Sequence, residues 1–216
     1  MRRAVIFDMG NVLIDWNPDR VYAAHIADEQ ERALFFAGMF RRMHWAVHDS
    51  DLPFSDALAS LKLAEPDSVS LIEQFEHDWH AFLHGPIEGT VRLLEALVAR
   101  EVPLYGLTNW PHQTWPPQSV PSPVSSNLSK SVSHDYGFLR HFKDIVVSGQ
   151  VKMHKPDEEI YAYALERFGL AADEAVFVDD LRENVDTANR LGLHGICFTH
   201  ADALKDELQA LGLLDA

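Results

Sequence analysis

The chain contains five short apolar runs: Ala4–Phe7, Val102–Leu107, Asp144–Ser148, Ala175–Val178 and Gly195–Thr199. Each is bounded by polar residues or glycine, and none alternates strictly between apolar and polar. Brief, near-continuous apolar runs of this kind suit strands covered on both faces, the situation of a parallel sheet. Helical patterns separate them. Glu88–Arg100 places Val91, Leu94, Leu97 and Val98 on one stripe, and Glu158–Phe168 does the same with Ile160, Ala164, Leu165 and Phe168. Asn184–Leu191 and Ala203–Leu211 follow. Strands alternating with helices imply βαβ units and an open α/β sheet.

Two segments break the alternation. From Asp15 to about Gly85 the pattern offers no strand, only helical stretches around Pro18–Ala27, Glu29–Phe40, Phe54–Leu63 and Val69–Leu83. That is too long for a plain crossover, so the expectation is a helical cap domain over 15–85, inserted in a core of 1–14 and 86–216. Between Pro116 and Asp135 lie seven Ser and four Pro. Pro121 and Pro123 preclude a regular helix there, and the stretch reads as a long flexible loop.

Charge narrows the partners. With 18 Lys+Arg against 33 Asp+Glu, the net charge is -15, which argues against nucleic acid or anionic lipid as a partner. A phosphorylated substrate must then be captured locally, by a lysine or a metal ion. The single cysteine, Cys197, excludes an intrachain disulfide framework and a Cys-rich zinc site. No stretch approaches the roughly 20 apolar residues of a membrane span, and the few apolar residues before Asp8 are too short for a signal-peptide core. A cytoplasmic protein is expected, as a monomer or a homodimer.

Ligands of open parallel sheets bind beyond the carboxyl ends of the strands. Asp8 follows the first run, Thr108 and Asn109 the second, Lys155 the third after a short loop, and Asp179-Asp180 the fourth. Any one of these has an ordinary explanation as a helix cap or a solvated side chain. As a set they are harder to dismiss, because adjacent acids facing a third are costly unless a cation sits between them. Oxygen ligands without His or Cys favour Mg²⁺. An aspartate can serve as a covalent nucleophile toward phosphorus. Its repulsion from phosphate requires offsetting positive charge, from a metal and from Lys155. Thr108 and the backbone N–H groups after Asp8 can donate hydrogen bonds to phosphoryl oxygens.

In order and spacing, Phe7-Asp8-Met9-Gly10-Asn11-Val12-Leu13, Leu107-Thr108-Asn109, Lys155-Pro156-Asp157 and Phe177-Val178-Asp179-Asp180 with Asn184 resemble the four motifs of the haloacid dehalogenase-like hydrolases. The resemblance covers essentially the whole chain and is nearest to the C1-capped branch. Within it, the similarity is to the sugar-phosphate phosphatase subgroup with Gly two residues after the nucleophile. It implies a Rossmann-like three-layer parallel sheet with a small helical cap after the first strand. It further implies a Mg²⁺-dependent phosphohydrolase acting on a small phosphorylated metabolite, sugar phosphates among the candidates, through an aspartyl-phosphate. Asp8 would be the nucleophile, with Thr108 and Lys155 as its catalytic companions. Mg²⁺ would be held by Asp8, Asp179, Asp180 and the backbone carbonyl of Gly10. Met9, Gly10, Thr108, Asn109 and Lys155 would contact the phosphoryl group, and Asn184 would orient the metal-binding loop or Lys155.

Gly10 departs from the family pattern, which usually has a second Asp there to protonate the leaving group and activate water. Asp15, Asn11 and cap residues are the candidates to replace it. Otherwise the substrate has a good leaving group or turnover is slow. Two other functions remain open. A haloacid dehalogenase would use the same Asp without a metal, but that branch carries Ser-Asn where this chain has Asp179-Asp180. A non-catalytic phospho-ligand binder would rest on Gly10 alone. Phosphoglucomutase-like transfer normally needs the missing Asp.

Other residues have simpler explanations. His77, His80 and His84 have helical spacing but no evident further ligand, and read as a surface cluster; His154 sits beside Lys155 without a clear role. Trp16 and Trp110 lie just past the first two motifs, where either substrate stacking or packing would suit them. Phe35, Phe36, Phe40 and Met43 read as core or contact residues of the cap.

Overall fold

The computed structural model describes residues 2–117 and 136–215. In chain order the elements begin with β1 (Ala4–Phe7), β2 (Ile14–Trp16), α1 (Asp19–Tyr22) and α2 (Glu29–Phe35). A π-helical turn, Phe36–Phe40, leads into α3 (Arg41–His48), followed by α4 (Phe54–Ala64) and α5 (Val69–Asp78). A 3₁₀ turn, Trp79–Phe82, leads to β3 (Leu83–Pro86), then α6 (Glu88–Ala99) and β4 (Leu104–Thr108). Next come β5 (Asp144–Val147), α7 (Ser148–Val151), α8 (Glu158–Phe168) and β6 (Ala175–Asp179). The last three are α9 (Arg182–Arg190), β7 (His194–Cys197) and α10 (Ala201–Ala210). Among the described residues, one compact unit comprises 2–15, 85–109 and 136–215, and a second comprises 16–84 and 110–117.

In the first unit the five apolar runs form one sheet in the order β5-β4-β1-β6-β7, parallel at every pairing. Ala4 and Ile6 of β1 join Tyr105, Leu107, Val146, Ala175 and Phe177 in a core that also holds Ile160, Tyr161, Ala164 and Phe168 of α8 and Ala188 of α9. Val5, Phe7, Val176 and Val178 alternate to the other face and are equally buried. Crossover handedness accounts for which helices lie where. The moves from β5 to β6 and from β6 to β7 run in one direction along the sheet, so right-handed crossovers put α8 and α9 on one face. The step from β1 to β4 runs the other way and puts α6 opposite. There α6 packs on α10, so closely that a Cβ at Gly89 would lie 2.6 Å from Ala201 Cβ. The result is the expected three-layer Rossmann-like α/β fold. The chain leaves β1 for one side of the sheet and returns through β6 on the other, so the β1/β6 border is the topological switch point.

The second unit is helical and has its own aromatic core. Tyr22 lies 4.6 Å from Phe35, and Phe40 lies 4.9 Å from Phe36 and 5.4 Å from Phe75, between ring centroids. The Asp28 carboxylate caps α2 by accepting from Glu31 N–H at 2.8 Å. Trp16 packs among Phe40, His44 and Trp79, and Trp110 against Trp79 and Trp115.

The expectation of a strandless stretch from Asp15 to Gly85 is corrected at both ends: β2 and β3 form a two-stranded sheet. Their sequences, IDW and LHGP, are too short to display a period, and Gly and Pro argue against a strand on propensity. The helix expected over Val69–Leu83 accordingly ends at Asp78, and that over Pro18–Ala27 shrinks to α1. The Ser/Pro-rich stretch lies, beyond Pro117, outside the described residues. No described helix is long and apolar enough to cross a membrane.

Candidate active site

The carboxyl ends of β1, β4 and β6 carry Asp8, Thr108 and Asp179 to one edge of the sheet, and the loop after α7 adds Lys155. All four are buried: Asp8 is 8% exposed, Thr108 1%, Lys155 2% and Asp179 0%. Register sets the alignment, since Phe7 pairs with Val178 and the Asp8 N–H donates to Val178 C=O at 2.9 Å. The Met9 N–H turns back onto Asp8 Oδ1 at 2.7 Å. The following turn closes through Ile14 N–H to Met9 C=O at 2.8 Å and Asn11 N–H to Ile14 C=O at 2.7 Å, with Gly10 bridged to Ile14.

Lys155 is the centre of the cluster. Its Nζ lies 2.9 Å from Asp8 Oδ1 and 2.6 Å from Asp179 Oδ2, and 5.6 Å from the centroid of the Phe177 ring. Its backbone is held at both polar groups by Asn109, which accepts from Lys155 N–H at 2.9 Å and donates to Lys155 C=O at 2.9 Å. The expectation that Asn109 faces a phosphate thus meets a different arrangement, in which its amide fixes the lysine. Asp179 is equally committed. Its Oδ1 accepts from Leu181 N–H and Asn184 Nδ2, each at 2.9 Å. Asn184 is in turn held by Tyr161, whose hydroxyl donates to its backbone C=O at 3.0 Å. Asp180 is less engaged, with Asn11 Nδ2 3.4 Å from its Oδ2.

Carboxylate oxygens of Asp8, Asp179 and Asp180 all lie within 4.8 Å of one another. Burial pushes the Asp8 carboxyl up to about 7, against the pull of Lys155 and with Asp179 and Asp180 adding to the rise. Burial and then Asp179 raise Asp180 as well. Burial acts to lower Lys155, but Asp179 and Asp8 together outweigh it and hold the ammonium above its ordinary value. With all groups ionised, three carboxylates against one ammonium leave a deficit of two positive charges, which one divalent cation would remove. The donor set is all oxygen, as Mg²⁺ requires.

Of the residues singled out from sequence, Asp8, Asn109, Lys155, Asp179, Asp180 and Asn184 are joined by these contacts, and Thr108 stands beside them at the end of β4. Tyr161 was not legible as a participant, because nothing in its local sequence announces a partner 23 residues away. Among the described residues the acidic trio is the one cluster of metal-binding type, and His77, His80 and His84 do not assemble another. His84 Nε2 lies 3.2 Å from Asn17 C=O, and His154 Nδ1 lies 3.2 Å from Asp157 Oδ2.

A haloacid dehalogenase-like hydrolase family model matches residues 2–192. The chain is 27% identical over 209 residues to a sesquiterpene phosphatase of Aspergillus oryzae, covering 97% of this chain and 96% of the relative. It is 25% identical over 198 residues to a phosphorylated carbohydrates phosphatase of Thermotoga maritima, covering 89% and 83%. Among solved structures, a predicted haloacid dehalogenase-like hydrolase of Porphyromonas gingivalis superposes with a TM-score of 0.66 at 21% identity, covering 98% of each chain. A related enzyme of Bacteroides thetaiotaomicron, solved with magnesium and inorganic phosphate, gives 0.62 at 21% identity, covering 93% of this chain and 96% of that one.

Proposed function

The chain belongs to the haloacid dehalogenase-like hydrolase family, and from that premise we propose that it is a magnesium-dependent phosphohydrolase that works through an aspartyl-phosphate on Asp8. The observation that carries this reading is the charge deficit of a buried nucleophile cluster that one divalent cation would balance. Phosphatases among its relatives support the reaction class.

Asp8, Asp180 and the Gly10 carbonyl would hold Mg²⁺, with Asp179 contributing its remaining acceptor capacity. When bound, the ion supplies positive charge that lets an anionic carboxylate approach an anionic phosphoryl group. Lys155 adds a second positive charge beside Asp8, held in place by Asn109. Thr108 and the backbone N–H groups of Met9 and Gly10 offer donors to the phosphoryl oxygens. Asp8 attacks phosphorus, the bond to the leaving oxygen breaks, and water then hydrolyses the acyl phosphate. Asn184, fixed between Tyr161 and Asp179, keeps the acidic loop in register. Residues 15–85 are proposed as the cap domain that selects a small phosphorylated metabolite, with sugar phosphates among the candidates. The relatives' names span a terpene and a carbohydrate series, so they do not by themselves choose the substrate.

A phosphate-release screen with wild type and Asp8→Asn, each with magnesium or chelator, tests the proposal. Release should require both Asp8 and magnesium. Release that persists in Asp8→Asn would refute the nucleophile. Chelator-resistant turnover of 2-chloropropionate without phosphate release would favour the dehalogenase alternative.

A further inference from the structure

In the family pattern the residue two positions after the nucleophile supplies the leaving group's proton, and Gly10 has no side chain to do so. The backbone does not require glycine there: positive φ occurs at Gly85, Gly169, Gly192 and Gly212, and not at Gly10. Lys155, Asp179 and Asp180, the ionisable groups beside Asp8, are committed to other work. Lys155 Nζ is hydrogen-bonded to Asp179 and sits 2.9 Å from Asp8, so giving up its proton would leave a neutral amine between two carboxylates. Asp179 accepts from Lys155, Leu181 and Asn184, an arrangement for an ionised acceptor rather than a donor. Asp180 faces Asn11 Nδ2.

We infer that this site takes phosphoryl compounds whose leaving group departs as a stable anion: aryl, enol and acyl phosphates and phosphoanhydrides, in preference to simple alkyl phosphates. The inference rests on the phosphohydrolase reading. In the first step an Asp8 oxygen forms the bond to phosphorus, the bond to the leaving oxygen breaks with its electron pair, and the anion takes a proton from solvent. In the second step water adds to phosphorus and loses a proton to solvent, while the bond to Asp8 breaks and restores the carboxylate. The same missing side chain leaves this second water unassisted, so the phosphorylated enzyme accumulates.

The test uses the full chain with magnesium and a series of substituted phenyl phosphates, extended to an alkyl phosphate. For wild type, kcat/KM should fall roughly tenfold per unit of leaving-group pKa, as a loose transition state without proton donation requires. The best substrates should give a burst of phenol, a kcat common to the series, and phosphorylated Asp8 detectable by intact mass. Gly10→Asp should flatten the dependence and raise turnover of the alkyl ester by about 10²–10⁴-fold, whereas Gly10→Asn, similar in size but without the acid, should not. A shallow dependence in wild type would overturn the inference whether or not the variants fold. If Asp15→Asn then steepened it, Asp15 would be the missing acid. No Asp8-dependent release from even the most activated ester would instead refute the phosphohydrolase reading, and this inference with it.

Discussion

Replacing Lys155 by Met tests the electrostatic account of the site directly. Methionine keeps the length and flexibility of the side chain but removes its charge. In the wild type that charge is 2% exposed and lies 2.6 Å from Asp179 and 2.9 Å from Asp8. Removing one partner of a buried ion pair typically costs about 3–5 kcal/mol, because the remaining charge is left uncompensated. For a chain of this size each kcal/mol corresponds to about 2–4 °C in Tm. The variant should therefore melt roughly 6–20 °C below wild type in chelator at pH 8. Two further signs follow from the same charges. Acid should narrow the gap, because a proton on Asp8, whose carboxyl already sits at about 7, substitutes for the lost ammonium. Magnesium should raise the Tm of the variant more than that of wild type, since the cation meets a larger charge deficit and binds the folded state more tightly. Differential scanning fluorimetry across pH 5.5–8.5, with chelator or with millimolar magnesium, reads all three. A variant Tm within about 2 °C of wild type in chelator at pH 8 would refute the reasoning, as would a magnesium shift no larger than the wild-type one.

Because the Asp8 carboxyl is raised to about 7, the folded chain binds a proton there that the unfolded chain has already lost above its ordinary range near 4. Stability in chelator should therefore fall as pH rises from about 4 to about 7, and apparent magnesium affinity by calorimetry should rise over the upper part of that window and level off above it; a pH-independent affinity would contradict the assignment of Asp8 as a ligand. Tyr161→Phe removes the hydroxyl that holds Asn184 C=O while keeping the ring against Phe177; it should cost about 1 kcal/mol and weaken half-saturation by magnesium, and unchanged magnesium dependence would show that Tyr161 serves stability alone. Gly106→Ala would set a Cβ 2.5 Å from Met9 Cε and 2.9 Å from Ile145 Cγ2; the thioether can move but the β-branched Ile145 cannot easily, so about 1–3 kcal/mol should be lost in urea titration, and an unshifted midpoint would disprove the close fit. Asp28→Ala should lower stability by about 1 kcal/mol through the lost cap of α2 while leaving magnesium affinity unchanged.

Legibility in the sequence followed burial. A strand covered on both faces must be apolar at nearly every position, so the runs at Ala4–Phe7 and Ala175–Asp179 announced themselves within a residue of their observed ends. The ribbon strands did not, since residues such as Asp15 and His84 carry no such requirement, and Leu83 was read into a helix that stops at Asp78. The helix Arg41–His48 also escaped notice: it opens with two exposed arginines and buries Met43, Val47 and His48.

The sequence by itself determined the α/β class and which chemical groups stand at the strand ends. Apolar continuity and the cost of clustering Asp8, Asp179 and Asp180 are properties of residue types at positions along the chain. Only the tertiary structure decided how those groups are spent. Asn109 grips the backbone of Lys155 across 46 residues, and Asn184 is held by Tyr161 across 23. Such bonds depend on strand register and helix placement, which are fixed by the packing of the whole core, and no local pattern of residues encodes them.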